Sequence, residues 1–192
     1  MSVLRHVLGL DQPRSETQPF DPHAPIAPMP AAETDSVRRI AARLTALPPV
    51  RARFVAAFAY ELGRAAAADL SVSDVEVAAM AGQLVEVGGL DDATASLVVD
   101  LARAQAVRFG ATEDYLVTRE FKAISTLEER EQLLRCCLLV AAADDAVDAE
   151  EAWVVNRMAE ELDVERGHLN RIRDEFTDRF TSVREIRKLN GG

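Results

Sequence analysis

All 8 prolines of this 192-residue chain lie within its first 49 residues, the last pair being Pro48 and Pro49. Average usage of about 5% would place roughly seven in the remainder. Proline removes a backbone donor and clashes with the preceding helical turn, so its absence beyond Pro49 leaves the rest of the chain open to long helices. A helical domain is therefore expected to begin near Val50. Charge divides at the same place. Residues 1–49 hold five arginines against five acids, so the whole net charge of -10 belongs to residues 50–192. An acidic folded part excludes binding to nucleic acid through a general basic surface.

No apolar run reaches the roughly 18 residues of a membrane span; the longest, Cys136 to Ala143, ends in Asp144 and Asp145. Residues 1–10 lack the apolar region and cleavage site of a secretory signal. Cys136 and Cys137, adjacent and alone, give no disulfide framework. The expectation is a cytoplasmic protein without stable direct membrane insertion.

Residues 11–34 are rich in Pro, Ala and polar side chains and read as a flexible linker. Ahead of it, residues 1–10 form a short amphipathic segment, with Val3, Leu4, Val7 and Leu8 on one helical face. Such a peptide can dock on a partner, on its own domain or on a bilayer surface, or it can be no more than a frayed terminus.

From Asp35 the pattern is helical. Asp35 caps a first helix that Pro48 and Pro49 stop, and Pro49 opens the next, with Phe54, Phe58, Leu62 and Ala65 along one stripe. Capping boxes at Ser73/Glu76, Thr126/Glu129 and Asp148/Glu151 open three more, and Gly88-Gly89 and Gly110 end two. Helices are also expected over Asp92 to Phe109, Thr112 to Ile124 and Arg166 to Phe180, followed by a basic, frayed end over 181–192. Nothing reads as a strand.

The stretch Ala66-Ala-Ala-Asp69-Leu-Ser-Val72-Ser73-Asp-Val-Glu76 matches Ala141-Ala-Ala-Asp144-Asp-Ala-Val147-Asp148-Ala-Glu-Glu151. Each follows a helix that is apolar nearly all round, as a central helix is. Chance similarity between alanine-rich units is one reading. Duplication is the other, and it gives an all-α, compact bundle of about seven to eight helices in residues 35–180, built from two pseudo-symmetric helical-hairpin repeats (about 50–109 and 126–180).

The phrase Leu47-Pro-Pro-Val-Arg-Ala-Arg-Phe-Val-Ala-Ala-Phe-Ala-Tyr60, the turn Ala68 to Ser73, the stretch Phe109 to Phe121 and the helix-turn Leu139 to Glu151 together resemble the TerB-like family of bacterial tellurite-resistance and stress proteins. The resemblance covers about residues 36–180. It implies a compact all-helical bundle of two hairpin repeats, no established catalysis, and acidic repeat turns suspected of binding metal. Family members commonly carry Gly after the aspartate of the second turn, where this chain has Asp145, which adds a carboxylate and removes conformational freedom. The family's domain also occurs beside a J-domain in a membrane co-chaperone; this chain has no His-Pro-Asp triplet, so that activity does not carry over.

The acidic turns are open to two readings. Asp144, Asp148 and Glu151, with Asp69 and Glu76 in the sister turn, offer oxygen ligands to a divalent cation, Ca2+, Mg2+ or Mn2+. They are not an EF-hand, since position 6 from Asp144 is Ala149 and position 12 is Val155. Alternatively Asp148/Glu151 and Ser73/Glu76 are only helix caps, each worth about 1 kcal/mol. No phosphate loop, nucleophile elbow or histidine ligand spacing is present. Cys136 and Cys137 read as buried small hydrophobes, and Arg119 is expected to pair with acids of the domain. The favoured function is a non-enzymatic module binding protein partners, in a stress-response or membrane-associated assembly. The alternative is a metal-dependent hydrolase using the carboxylates of both turns.

Overall fold

The computed structural model describes residues 3–8, 21–26, 35–65, 74–87, 89–104, 111–141 and 149–176, with side chains at all of these except 3–4, 35–37, 74–79, 103–104, 111–113, 141 and 149–152. These residues contain helices and no strand. In chain order they are α1 (Val3–Val7), α2 (Asp35–Thr45), α3 (Pro49–Ala65), α4 (Asp74–Glu86), α5 (Asp92–Ala104), α6 (Ala111–Ile124), α7 (Leu127–Ala141), α8 (Ala149–Glu161) and α9 (166–176).

Local chemistry sets the ends. Pro49 begins α3 where a missing N–H costs nothing, and the first intrahelical bond runs from the Ala52 amide to the Pro48 carbonyl at 2.9 Å. The Thr126 capping box forms as expected: the Glu129 amide donates to Thr126 Oγ1 (3.2 Å) and the Thr126 amide to Glu129 Oε2 (2.8 Å). Gly89, at φ 69°, closes α4, with the Leu90 amide reaching the Leu84 carbonyl at 3.4 Å. Asp91 caps α5 through the Thr94 amide at 2.9 Å. The hydrogen bonds from Thr94 hold the Asp91 carboxyl below its ordinary value.

At the end of α8, Asp163 adopts φ 53°, a left-handed turn without glycine, and pairs with Lys122. The Arg130 guanidinium, on α7, donates to the carbonyls of Lys122 (3.0 Å), Ser125 (3.1 Å) and Leu162 (3.1 Å), so one side chain closes the C-terminal ends of α6 and α8.

The core forms around α3, which is buried from Ala52 through Leu62 on all sides. It packs against α1, α2, α5, α6, α7 and α8. Phe54, Phe58 and Phe121 form an aromatic cluster with centroids 5.3–6.1 Å apart, a tilted and edge-on geometry that suits the ring quadrupoles. Burying each such ring contributes about 1.5–3 kcal/mol. The two apolar helices that precede the repeated stretches, α3 and α7, pack on each other. The turns that carry the sequence repeat, 66–73 and 142–148, lie outside the described residues.

Of the three docking options for the terminal peptide, the structure takes its own domain. Val7 and Leu8 are buried in the main core, and α1 packs against α2 and α3. Residues 21–26, inside the segment whose composition reads as a linker, meet the bundle as well. Ile26 packs against the core, and the Pro22 carbonyl accepts a hydrogen bond from Arg53. No helix among the described residues is long and apolar enough to cross a membrane.

Candidate functional site

Asp69, Asp144 and Asp148 lie outside the described residues, as does Asp145. Glu76 and Glu151 fall within α4 and α8, but their side chains are likewise outside the described set. Among the described residues no group of three or more His, Cys, Asp or Glu side chains could hold a metal ion.

What the fold does bring together is a polar junction inside the bundle. Glu61 and Arg64 stand one turn apart on α3, Asp114 and Thr118 one turn apart on α6, and Arg157 and Glu161 one turn apart on α8. Glu61, 0% exposed, accepts from Arg64 Nη1 (2.7 Å) and from the Thr118 hydroxyl (2.6 Å). Arg64 also donates to Thr118 Oγ1 (2.9 Å) and Glu161 Oε2 (3.3 Å), and its Nε lies 3.8 Å from Asp114 Oδ2. Arg157 Nε meets the other Glu161 oxygen at 2.9 Å. The Tyr60 hydroxyl donates to Asp114 Oδ1 at 2.6 Å.

Burial pushes the Glu61 carboxyl up to about 7, against the opposing pull of Arg64 and Thr118. Burial opposes the Arg64 charge too, but Glu61, Asp114 and Glu161 outweigh it and raise its pKa. Burial and the bond to Asp114 raise the Tyr60 phenol. The junction does not fit a cation. Three carboxylates converge there, yet the Arg64 guanidinium fills the place between them and supplies the countercharge.

The junction reaches the surface through α8. Arg157 lies over the ring of Trp153, 5.4 Å from its centroid, and Trp153 is 57% exposed. On α6, beside Asp114, Tyr115 is 61% exposed with Arg119 at 5.7 Å from its ring. Arg119, expected to pair with acids, thus stacks on a tyrosine. Trp153 thus sits at the rim of the junction.

Cys136 and Cys137 are buried. Burial pushes the Cys136 thiol up to about 12 and Cys137 well above its ordinary value, so neither supplies a thiolate near neutral pH. Where α3, α5 and α7 begin, Arg51, Phe54, Gly89, Asp91, Glu129 and Gln132 line an open groove of about 410 Å³. The charge of Arg51 is already used there by Asp91 (3.4 Å) and Thr94 (3.1 Å), and its guanidinium lies over Phe54.

The sequence pattern missed the junction. Its signal is a glutamate and an arginine three residues apart at the end of the run from Phe54 to Ala65, which Tyr60 alone otherwise interrupts with a polar group, a pair that must meet polar partners if the helix is central.

The model of one family, tellurite resistance protein TerB, matches residues 55–174. No curated protein and no solved structure matches the chain significantly. The matched span runs from α3 into α9, contains the whole Glu61–Arg64 junction and covers well over half the sequence; the chain belongs to the tellurite resistance protein TerB family.

Proposed function

We propose that the chain is a non-enzymatic, acidic helical module of the tellurite-resistance and stress-response type, working in the cytoplasm, and that its α6–α8 face binds protein partners. The supporting observation is the pair of exposed rings, Trp153 and Tyr115, each stacked with an arginine beside an ordered ionic junction. Aromatic residues and arginine are the side chains most enriched at binding hot spots, because they offer large area at low entropic cost. The metal-dependent hydrolase alternative draws no support from the junction, whose three carboxylates are occupied by Arg64.

Trp153→Ala and Tyr115→Ala should leave the melting midpoint nearly unchanged, as exposed positions do. Each should remove the same proteins from those that co-purify with the full chain, including any from a membrane-associated assembly. Partners retained by both variants would defeat this reading of the face.

Divalent cations at Asp69, Glu76, Asp144, Asp148 and Glu151 are the second part of the proposal, supported by the acidic repeat in the sequence. Ca2+, Mg2+ or Mn2+ at a hundred times its dissociation constant should stabilise the fold by about 2.7 kcal/mol, an increment abolished by Asp144→Asn and by Glu151→Gln. If the turns are caps alone, no ion shifts the midpoint against chelator, and Asp148→Ala costs about 1 kcal/mol with or without metal.

A further inference from the structure

Arg53, in the first turns of α3, is 7% exposed, and its Nη1 donates to the Pro22 carbonyl at 2.6 Å. Its Nε–H is buried with no hydrogen-bond partner among the described residues. Burial pushes the Arg53 pKa below its ordinary value, and the nearby Asp21 acts in the opposite sense. A neutral carbonyl is a weak acceptor for a buried cation, whereas a carboxylate makes shorter and stronger bonds to a guanidinium.

The segment that closes over this region is slight. α1 is 5 residues long, too short to be helical on its own, so its order depends on what it packs against; among the described side chains of residues 5–8, Val7 and Leu8 are buried. Those two share a core cluster with Ile40 and Leu44 of α2 and with Val55 and Ala56 of α3. α1 therefore lies over an apolar groove between α2 and α3, and residues 21–26 lie over an incompletely bonded arginine of the same α3.

We propose that residues 3–8 and 21–26 are a self-docked cover, and that the α2–α3 groove binds an acidic amphipathic helix of a partner protein, whose apolar side chains replace Val7 and Leu8 and whose carboxylate takes the Arg53 Nε–H. This surface is distinct from the α6–α8 face, and Arg53 precedes the span that the family model matches. Either surface can fail without the other.

The probe is a fluorescein-labelled helical peptide with leucines along one face and a single glutamate beside them, compared with its glutamine twin. It is titrated into the full chain, wild type and Leu8→Asp, the latter carrying an expelled cover. The glutamate peptide should bind Leu8→Asp more tightly than wild type. It should bind roughly tenfold or more tightly than the glutamine twin, the effect of one charge-assisted hydrogen bond. R53M, which keeps the apolar stem, should bind the twins alike. On wild type, saturating peptide should speed hydrogen exchange at the Val7 and Leu8 amides. Val7→Ser, checked by circular dichroism, replaces Leu8→Asp if that variant loses its fold. Equal binding of the twins to folded Leu8→Asp, no binding of either, or unchanged exchange at Val7 and Leu8 under saturating peptide would each overturn the proposal.

Discussion

Arg53 and Arg64 stand about three turns apart on the same central helix, and each is largely removed from water. Their surroundings differ in kind. Arg64 has three carboxylates and a hydroxyl around it, supplied by three helices. Among the described residues, Arg53 has one main-chain carbonyl, the nearby charge of Asp21 and a buried N–H without an acceptor. Removing a member of a compensated buried network strands charges that have lost their water, whereas removing an incompletely compensated charge relieves a burden. One arginine fixes the arrangement of α3, α6 and α8, and the other keeps the N-terminal cover only loosely advantageous.

The sharpest way to break this comparison is to replace each arginine by an apolar side chain of similar length. Arg64→Met leaves Glu61, Asp114 and Glu161 facing one another, and chemical denaturation should record a loss of about 3–5 kcal/mol. A loss under about 1 kcal/mol would show that the junction is ornamental.

The second test uses pH. The Glu61 carboxyl sits at about 7 in the folded chain against an ordinary value of 4.5. Between those values the folded state holds a proton that the unfolded chain has released, so the stability contributed by neutral Glu61 is full below about 4.5 and is lost as pH rises through 7. Wild type should lose about 1–3 kcal/mol across that window relative to Glu61→Gln, whose amide stays neutral throughout. Parallel stability-against-pH curves for the two would mean that Glu61 keeps its charge in the folded chain at all these pH values.

The smallest effect is expected at the cover. Arg53→Met should be neutral or stabilising by up to about 1 kcal/mol in the same denaturation experiment, because an unmet buried donor disappears while the aliphatic packing remains. A destabilisation as large as that of Arg64→Met would erase the contrast between the two sites.

Much of the architecture was legible in the order of residues. Pro48-Pro49, the Thr126/Glu129 box and the stop at Gly89 act within one or two turns, and each forms where the pattern places it. The junction was not legible, because Glu61 finds Thr118 57 residues away and Arg64 finds Glu161 97 residues away. No local periodicity encodes such pairings. The cover is a related case. Proline-rich composition speaks to how little a segment orders itself, but says nothing of whether Val7 and Leu8 find a groove on α2 and α3. Arg119 escaped for a simpler reason: helical spacing places it beside Tyr115, one turn earlier, as readily as beside an acid. The acidic turns remain a matter of sequence, since Asp69, Asp144 and Asp148 lie outside the described residues.

The three carbonyls gathered by Arg130 have a mechanical consequence. Lys122 and Ser125 terminate α6, and Leu162 terminates α8, so the single guanidinium is a common pivot for both helices. Arg130 pins the C-terminal ends of α6 and α8 together, and Arg64 ties Asp114, near the start of α6, to Glu161, next to Leu162 at the end of α8. The last turn of α8 is thus held at both ends of α6, and the rest of α8, Trp153 included, extends from that anchored turn.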